Sequence, residues 1–196
     1  MRWIISRYNH DVSYLPEYTD DYMIFDRSEK PLKDPKARVV DNIGSDIYDK
    51  FKFIIMNYEN LPEVAVYTKA NIFKYITKEE FDKIKDNKTF TPILTQNHKV
   101  YEPVCRYNNG IYEEINNLWY LGAHPTKFDP KEVQRELGVA DKEYLQFAPG
   151  SNYILPRENI LKKSKEFYQR MLKYLEWAVY PGEAQIIERG LYNIWK

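Results

Sequence analysis

The stretch SDIYDKFKFIIMNYENLPEVAVYTKAN, Ser45 to Asn71, decides the fold. Its first part has apolar residues at helical spacing, at Ile47, Phe51, Ile54, Ile55 and Tyr58. Its last part, Val64 to Tyr67, is a short apolar run typical of a buried strand. The polar run Thr68 to Asn71 then ends this strand without glycine or proline. A helix that leads directly into such a strand favours a mostly parallel α/β sheet.

The start of this helix has the residues of a helix N-terminus. Ser45 is a good N-cap, and Asp46 in the first turn complements the helix dipole. Just before them, Asn42 and Gly44 suit a turn in which the backbone approaches a ligand at the helix N-terminus. A plain turn followed by an N-cap explains the same residues, so both interpretations stay open.

Three short apolar strands precede the helix, and polar side chains follow each of them. The predicted strands are Trp3 to Tyr8, Asp21 to Phe25, and Ala37 to Val40. In parallel α/β sheets, ligands bind beyond the carboxyl ends of the strands. The sequence therefore predicts a ligand-binding rim made from four polar strand ends. These are Arg7 to His10, Asp26 to Ser28, Asn42 to Gly44, and Thr68 to Asn71.

The second half of the chain is less regular. Thr77 and Glu80 form a capping box for a short helix, and Thr89 to Gly122 has the strand and turn residues of a β-rich insert. Ser164 to Tyr180 is predicted as a long helix. A last helix follows Pro181 and Gly182, and its predicted buried residues are Ile186, Ile187, Leu191, Ile194 and Trp195.

Composition limits the class of protein. The 196 residues, 43% of them hydrophobic, suit one domain with a hydrophobic core. Lys plus Arg and Asp plus Glu each total 29, so no overall field attracts nucleic acid or anionic lipid. The single cysteine, Cys105, excludes an internal disulfide, and no apolar stretch is long enough to span a bilayer. We therefore expect a cytoplasmic protein with no nucleic-acid partner and no membrane span.

Five segments together resemble a known family. They are ISRYNHDVSYL (5–15), FDRS (25–28), NIGSDIYDKFKFIIMNYENLPEVAVYTKANIF (42–73), FAPGSNYILPRENILKKSKEFYQRML (147–172) and IIERGLYNIW (186–195). The chain resembles small glycosyltransferase-like proteins of bacteria, fungi and large algal viruses, some of them first described only as a domain of unknown function. The resemblance covers nearly the whole chain.

This resemblance implies a fold and an activity. The implied fold is a GT-A-like single α/β domain, residues 1–196, with a mostly parallel Rossmann-like sheet flanked by helices, a β-rich insert and C-terminal helices. Residues 1–76 would form its nucleotide-binding half and residues 77–196 its acceptor half. The implied activity is transfer of a hexose or deoxyhexose from a nucleoside diphosphate sugar, such as a UDP-sugar, to a glycan acceptor in polysaccharide biosynthesis. The alternatives are a binding domain for a nucleotide sugar or glycan without turnover, and a structural partner in a glycan-synthesis complex.

The resemblance also implies which residues hold the donor. The guanidinium of Arg7 and the ring of Tyr8 would contact phosphates and nucleobase, although an Arg-Tyr pair at a strand end is also common without a ligand. The loop from Phe147 to Tyr153 would shape the donor sugar pocket. The full predicted nucleotide-sugar set is Ser6, Arg7, Tyr8, Asn9, Asp26, Asn42, Gly44, Lys69, Gly150 and Tyr153.

The metal motif of the family is altered in this chain. By order along the chain, Lys69-Ala70-Asn71 stands where these enzymes have an Asp-x-Asp motif that holds a divalent cation. One interpretation keeps Mn²⁺ or Mg²⁺, with Asn71 as a weak ligand beside water and phosphate oxygens. In the other, the ammonium group of Lys69 neutralises the diphosphate directly. A solvated lysine at a strand end would explain Lys69 without a ligand.

Sugar transfer with inversion also needs a base for the acceptor hydroxyl. Glu188 lies beside two isoleucines in the last helix, and His98 and His124 lie in predicted loops. Asp46 is a further catalytic candidate, since it can accept hydrogen bonds from sugar hydroxyls. A charged helix flank or a polar surface loop would explain each of these residues without catalysis.

Overall fold

The computed structural model describes residues 1–96 and 98–196. It has mixed α/β content with a mostly parallel sheet flanked by helices, as the sequence predicts. Its strands are β1 (Arg2–Arg7), β2 (Tyr22–Asp26), β3 (Ala37–Val39), β4 (Val64–Lys69), β5 (Thr91–Pro92), β6 (Cys105–Asn108), β7 (Ile111–Ile115), β8 (Tyr144–Phe147) and β9 (Tyr153–Pro156). Its α-helices are α1 (Leu15–Tyr18), α2 (Ser45–Asn57), α3 (Lys78–Asp82), α4 (Pro130–Glu136), α5 (Arg157–Ile160), α6 (Lys165–Lys173) and α7 (Gly182–Trp195).

The main sheet has the strand order β3-β2-β1-β4-β9-β5. Strands β1 to β4 are parallel, whereas β9 is antiparallel to both of its neighbours, β4 and β5. The chain moves outward from β1 to β2 and β3, and then returns to place β4 on the other side of β1. The strand order therefore reverses between β1 and β4, where open α/β sheets form a crevice for ligands.

Residues of the central strands alternate between two hydrophobic layers, as the period of a strand requires. Ile4 and Tyr67 point towards the layer that contains α2, α6 and α7. Trp3, Ile5 and Val66 point to the opposite layer, which includes residues of α1 and α3. Because helices and loops cover both faces of the sheet, the polar side chains at the strand ends lie at its carboxyl edge.

The start of α2 differs from its prediction. Ser45 does not cap the helix, because its hydroxyl donates to Asp46 Oδ1 (2.9 Å) and the N-cap residue is Gly44. Gly44 adopts a left-handed conformation (φ 66°), and a Cβ there would lie 2.8 Å from Leu175 Cβ. Close packing against the segment after α6 thus requires glycine at this position.

The second half has its own antiparallel sheet, β6-β7-β8, of which β8 lies outside the predicted insert. The predicted long helix is shorter than expected, since α6 ends at Lys173. The predicted burial along α7 is confirmed. Over the described ranges, none of the helices has the length and hydropathy needed to cross a bilayer.

Candidate functional site

A polar cavity of about 200 Å³ lies beyond the carboxyl ends of β1 and β4. We call it the rim cavity. It lies at the reversal of strand order, where the sequence predicted a ligand-binding rim. Its lining residues are Ser6, Arg7, Tyr8, His10, Arg27, Asn42, Ser45, Asp46, Lys69, Asn71, Tyr75 and Tyr180.

Arg7 lines the rim cavity and is held from behind by a buried carboxylate. Its Nη1 donates to Asp26 Oδ1 (2.8 Å) and Oδ2 (2.9 Å) and to Ser28 Oγ (2.6 Å), while its Nε donates to the carbonyl of His10 (2.7 Å). Asp26 is fully buried, so the structure places it behind Arg7 rather than in contact with a ligand as predicted. Within the described chain, Nη2 of Arg7 forms no hydrogen bond and remains for a ligand.

Arg27 repeats this arrangement on the next strand end. Its Nη2 donates to Asp49 Oδ1 (2.7 Å) and its Nε to Asp49 Oδ2 (3.0 Å). Nη1 has no acceptor among residues 1–96 and 98–196. Asp49 is fully buried in α2. Two guanidinium groups thus line one cavity, each fixed by a carboxylate, and fixed cations lose less entropy when they bind an anion.

Asp49 gives the fold a pH dependence. Burial raises the pKa of Asp49 from 3.8 to about 6, against the opposing attraction of Arg27. The native state therefore binds this proton more tightly than the unfolded chain does. The protonated carboxyl of Asp49 contributes its full stabilisation of the fold below pH 3.8, and this contribution is lost as the pH rises through about 6.

We expect Asp49→Asn to remove up to about 3 kcal/mol of pH dependence from the unfolding free energy. Urea unfolding between pH 4 and 7 measures this, with exposed Asp41→Asn as the control. An unchanged slope in Asp49→Asn would contradict the expectation.

Lys69 supplies a third cation at the end of β4. Its Nζ lies 3.4 Å from Asp46 Oδ1, and Asp46 also contacts Lys50 and accepts a hydrogen bond from Ser151 Oγ (2.5 Å). Burial opposes ionisation of Asp46, but the ammonium groups of Lys50 and Lys69 outweigh it and hold the pKa of Asp46 well below its ordinary value. Burial also lowers the pKa of Lys69, and Asp46 and Glu188 more than compensate, so its pKa is raised. Lys69 is therefore an ammonium ion at neutral pH.

These contacts change the interpretation of Asp46. Its carboxylate is already bonded to Lys50, Lys69 and Ser151, so the structure assigns it to holding cations rather than to a free base or a contact with sugar hydroxyls.

The residues that line the rim cavity do not by themselves form a suitable ligand set for a divalent cation. Asn71 lines it as predicted, but the one carboxylate in the described lining is Asp46, which faces two ammonium groups. Across the described residues, no group of three or more His, Cys, Asp or Glu side chains could hold a metal. Hard cations prefer several anionic oxygens, and nearby lysines repel them.

The loop before α2 does not offer its backbone to a ligand as predicted. The N–H of Gly44 donates to the carbonyl of Ala178 (2.8 Å) and that of Ser45 donates to the carbonyl of Val179 (3.0 Å). Asn42 still lines the rim cavity. Asn9 lies outside the lining residues and donates its N–H to Ser28 Oγ (2.7 Å). Asn42 therefore contacts the cavity, whereas Asn9 helps to hold the residues behind it.

Gly150 and Glu188 meet behind Lys69. The N–H of Gly150 donates to Glu188 Oε1 at 2.6 Å, which ties the loop before β9 to α7. Tyr153, also predicted to shape the donor pocket, is fully buried between Phe90 (ring centroids 5.9 Å apart) and Trp195 (5.3 Å). Tyr153 points into the core because residues of β9 alternate between its two faces.

A second cavity of about 590 Å³ lies between the segment around α3 and the β-rich insert. We call it the second cavity. His98 lines it, with its ring 5.0 Å from that of Tyr112, and burial lowers the pKa of His98, which keeps its imidazole neutral. His124 lines neither cavity and follows the 3₁₀ helix Trp119–Ala123. The other lining residues are Ile76, Glu80, Ile84, Thr91, Pro92, Leu94, Thr95, Gln96, Val100, Tyr107 and Tyr112.

Comparisons of the chain with protein-family models, with curated proteins and with solved structures return no match. The geometry of the two cavities therefore carries the functional argument. Sequence reasoning missed Tyr180 and Tyr75 in the rim cavity. Tyr180 directly precedes Pro181 and Gly182. An aromatic residue at such a helix boundary was the sequence feature that could have indicated a role at the cavity.

Proposed function

We propose that the rim cavity binds the nucleoside diphosphate part of a nucleotide sugar, and that the protein transfers the sugar to a glycan acceptor in the second cavity. The observation that carries this proposal is the position of three fixed cations, Arg7, Arg27 and Lys69, at the reversal of strand order. Guanidinium groups bind phosphate oxygens with matched geometry, and Lys binds them as a point charge.

Two exposed aromatic rings suit the nucleobase. Tyr8 and Tyr180 both line the rim cavity, and they are 40% and 60% exposed. A flat base can stack on such rings while its phosphates reach the cations, and stacking of this kind is worth about 1–3 kcal/mol per base. This gives the ligand a direction, with the base at the mouth of the cavity and the diphosphate towards Lys69.

The proposed reaction is a single displacement. The acceptor hydroxyl oxygen forms a bond to the anomeric carbon, and the bond from that carbon to the diphosphate oxygen breaks with its electron pair left on the diphosphate. Neutral His98 in the second cavity takes the hydroxyl proton. Lys69 stabilises the charge that develops on the leaving diphosphate. Glu188, which binds the Gly150 N–H, orients the loop between the two cavities.

Nucleotide binding tests the proposal directly. We expect UDP to raise the melting temperature, because a ligand that binds only the native state stabilises it. Tyr180→Ala should weaken UDP binding about tenfold, which corresponds to 1.4 kcal/mol of lost stacking. Met56→Ala is the matched control, since Met56 is also exposed but lies outside both cavities. Thermal shift and calorimetry with UDP, GDP and ADP measure both effects, and no response to any of them at millimolar concentration would overturn the proposal.

Binding without turnover is the second candidate function. Asp46 and Glu188, the two carboxylates near Lys69, both already accept hydrogen bonds. Neither is therefore free to act as the base for the acceptor hydroxyl, which favours this candidate. A protein that binds UDP-sugars tightly but releases no UDP from them, with or without an oligosaccharide acceptor, would support this candidate over the transferase.

A further inference from the structure

Gly150 lies between the two cavities, and polar side-chain atoms surround the position of its missing Cβ. A Cβ at this position would lie 3.2 Å from Asn152 Nδ2, 3.9 Å from Thr95 Oγ1 and 4.0 Å from Lys69 Nζ. Lys69 lines the rim cavity and Thr95 lines the second cavity. We call this place the Gly150 niche, formed by Lys69, Thr95, Gly150 and Asn152.

One of these polar atoms has no partner. Asn152 is fully buried, and its Nδ2 has no hydrogen-bond partner in the part of the chain that the structure describes. Its Oδ1 accepts from the N–H of Lys69 at 3.0 Å, which fixes the orientation of the amide and leaves Nδ2 on the side of Gly150. A buried donor without an acceptor is costly, and a ligand oxygen would remove this cost.

The loop around the niche is held in a conformation that favours glycine. Gly150 has φ 87°, and a side chain there would narrow the approach to the Asn152 amide. Glu188 fixes the Gly150 N–H, while Ser151 donates its hydroxyl to Asp46. The loop that carries Gly150 is therefore held in place by two hydrogen bonds before any ligand binds.

We propose that the Gly150 niche binds the terminal phosphate oxygens of the nucleoside diphosphate, those next to the bond that breaks. This inference rests on the proposed function and adds the residues that recognise the distal phosphate. The ammonium group of Lys69 and the amide of Asn152 donate to one phosphate group, and the missing Cβ of Gly150 lets it approach. The niche adjoins the second cavity through Thr95, so the sugar on that phosphate would face the acceptor.

A comparison of UMP with UDP tests the niche, since only UDP has the distal phosphate. We expect Gly150→Ala to weaken UDP binding at least tenfold and UMP binding less than twofold, measured by calorimetry. Ala at φ 87° is strained, so Thr95→Val is the second variant, because Thr95 Oγ1 donates to the carbonyl of Pro149 (2.9 Å) and the loss of this hydrogen bond loosens the loop that carries Gly150. We expect it to lower UDP affinity about threefold and to leave UMP affinity unchanged. Thr89→Val is its control, because Thr89 is exposed and lines neither cavity.

The outcomes separate the two proposals. If the wild-type protein binds neither UMP nor UDP, the proposed function fails. If it binds both and each variant changes the two affinities equally or not at all, the niche does not hold the distal phosphate and the inference is overturned. A selective loss of UDP affinity in Thr95→Val supports it even if Gly150→Ala does not fold.

Discussion

We expect Lys69→Ala to lower the proposed release of UDP from UDP-sugars by about two to three orders of magnitude in kcat, the scale for one lost charge-stabilising group. The expected loss is this large because Lys69 is an ammonium ion at the end of β4, between the rim cavity and the Gly150 niche. The fold should tolerate the change, since Asp46 keeps its contact with Lys50. Lys74→Ala, an exposed lysine five residues further along, is the matched control.

The same assay distinguishes Lys69 from a metal. We expect the wild-type rate to persist in EDTA, since the donor set of the rim cavity does not suit a divalent cation. A rate that EDTA abolishes and Mn²⁺ restores, together with an active Lys69→Ala, would show that a cation neutralises the diphosphate and that Asn71 helps to hold it.

The largest stability effect is expected at Arg189. Both guanidinium nitrogens Nε and Nη2 donate to the carboxylate of Glu114, and both side chains are buried. The guanidinium carbon of Arg189 also lies 3.7 Å from the centroid of the Tyr120 ring. Arg189→Leu leaves Glu114 buried without its cation, so we expect a loss of about 3–5 kcal/mol in the free energy of unfolding. Urea denaturation measures it.

An exposed pair provides the control for this prediction. Arg2 and Asp21 form an ion pair with side chains that are 40% and 52% exposed, and Arg2→Leu should cost less than about 1 kcal/mol. The double variant Glu114→Leu with Arg189→Leu should recover part of the loss, because no charge stays buried. A double variant that is less stable than Arg189→Leu would show that the ion pair itself stabilises the fold.

The sequence predicted the order of the elements better than the direction of single side chains. The parallel strands and the buried face of α7 followed from apolar periodicity. Asp49 and Lys50 were missed as core residues, since charged residues between apolar helix positions normally face water. Both are buried because Arg27 and Asp46 neutralise them. Arg27 is distant in sequence from Asp49, whereas Asp46 lies one helical turn before Lys50, a spacing that exposed ion pairs on helices also have.

The candidate site shows the same limit. The rim itself was predictable, because parallel strands share one carboxyl edge. The sequence did not predict which rim residues contact the cavity and which support them. The positions of the Asp26 and Tyr153 side chains depend on strand register and on the alternation of side chains along a strand. The position of Tyr180 over the cavity depends on the tertiary packing of the segment after α6.

The antiparallel pairing of β4 with β9 has a consequence for how the chain folds. Val64 pairs with Pro156, so the centre of the main sheet joins the two halves of the sequence. A long loop must close before β4 has a neighbour on that side, and such non-local contacts slow folding. The cations of the rim cavity come from the first half, whereas the loop that forms the Gly150 niche directly precedes β9. We therefore expect the parts of the proposed donor site to assemble only when this long-range pairing forms, so that residues 1–76 alone would not bind the nucleotide.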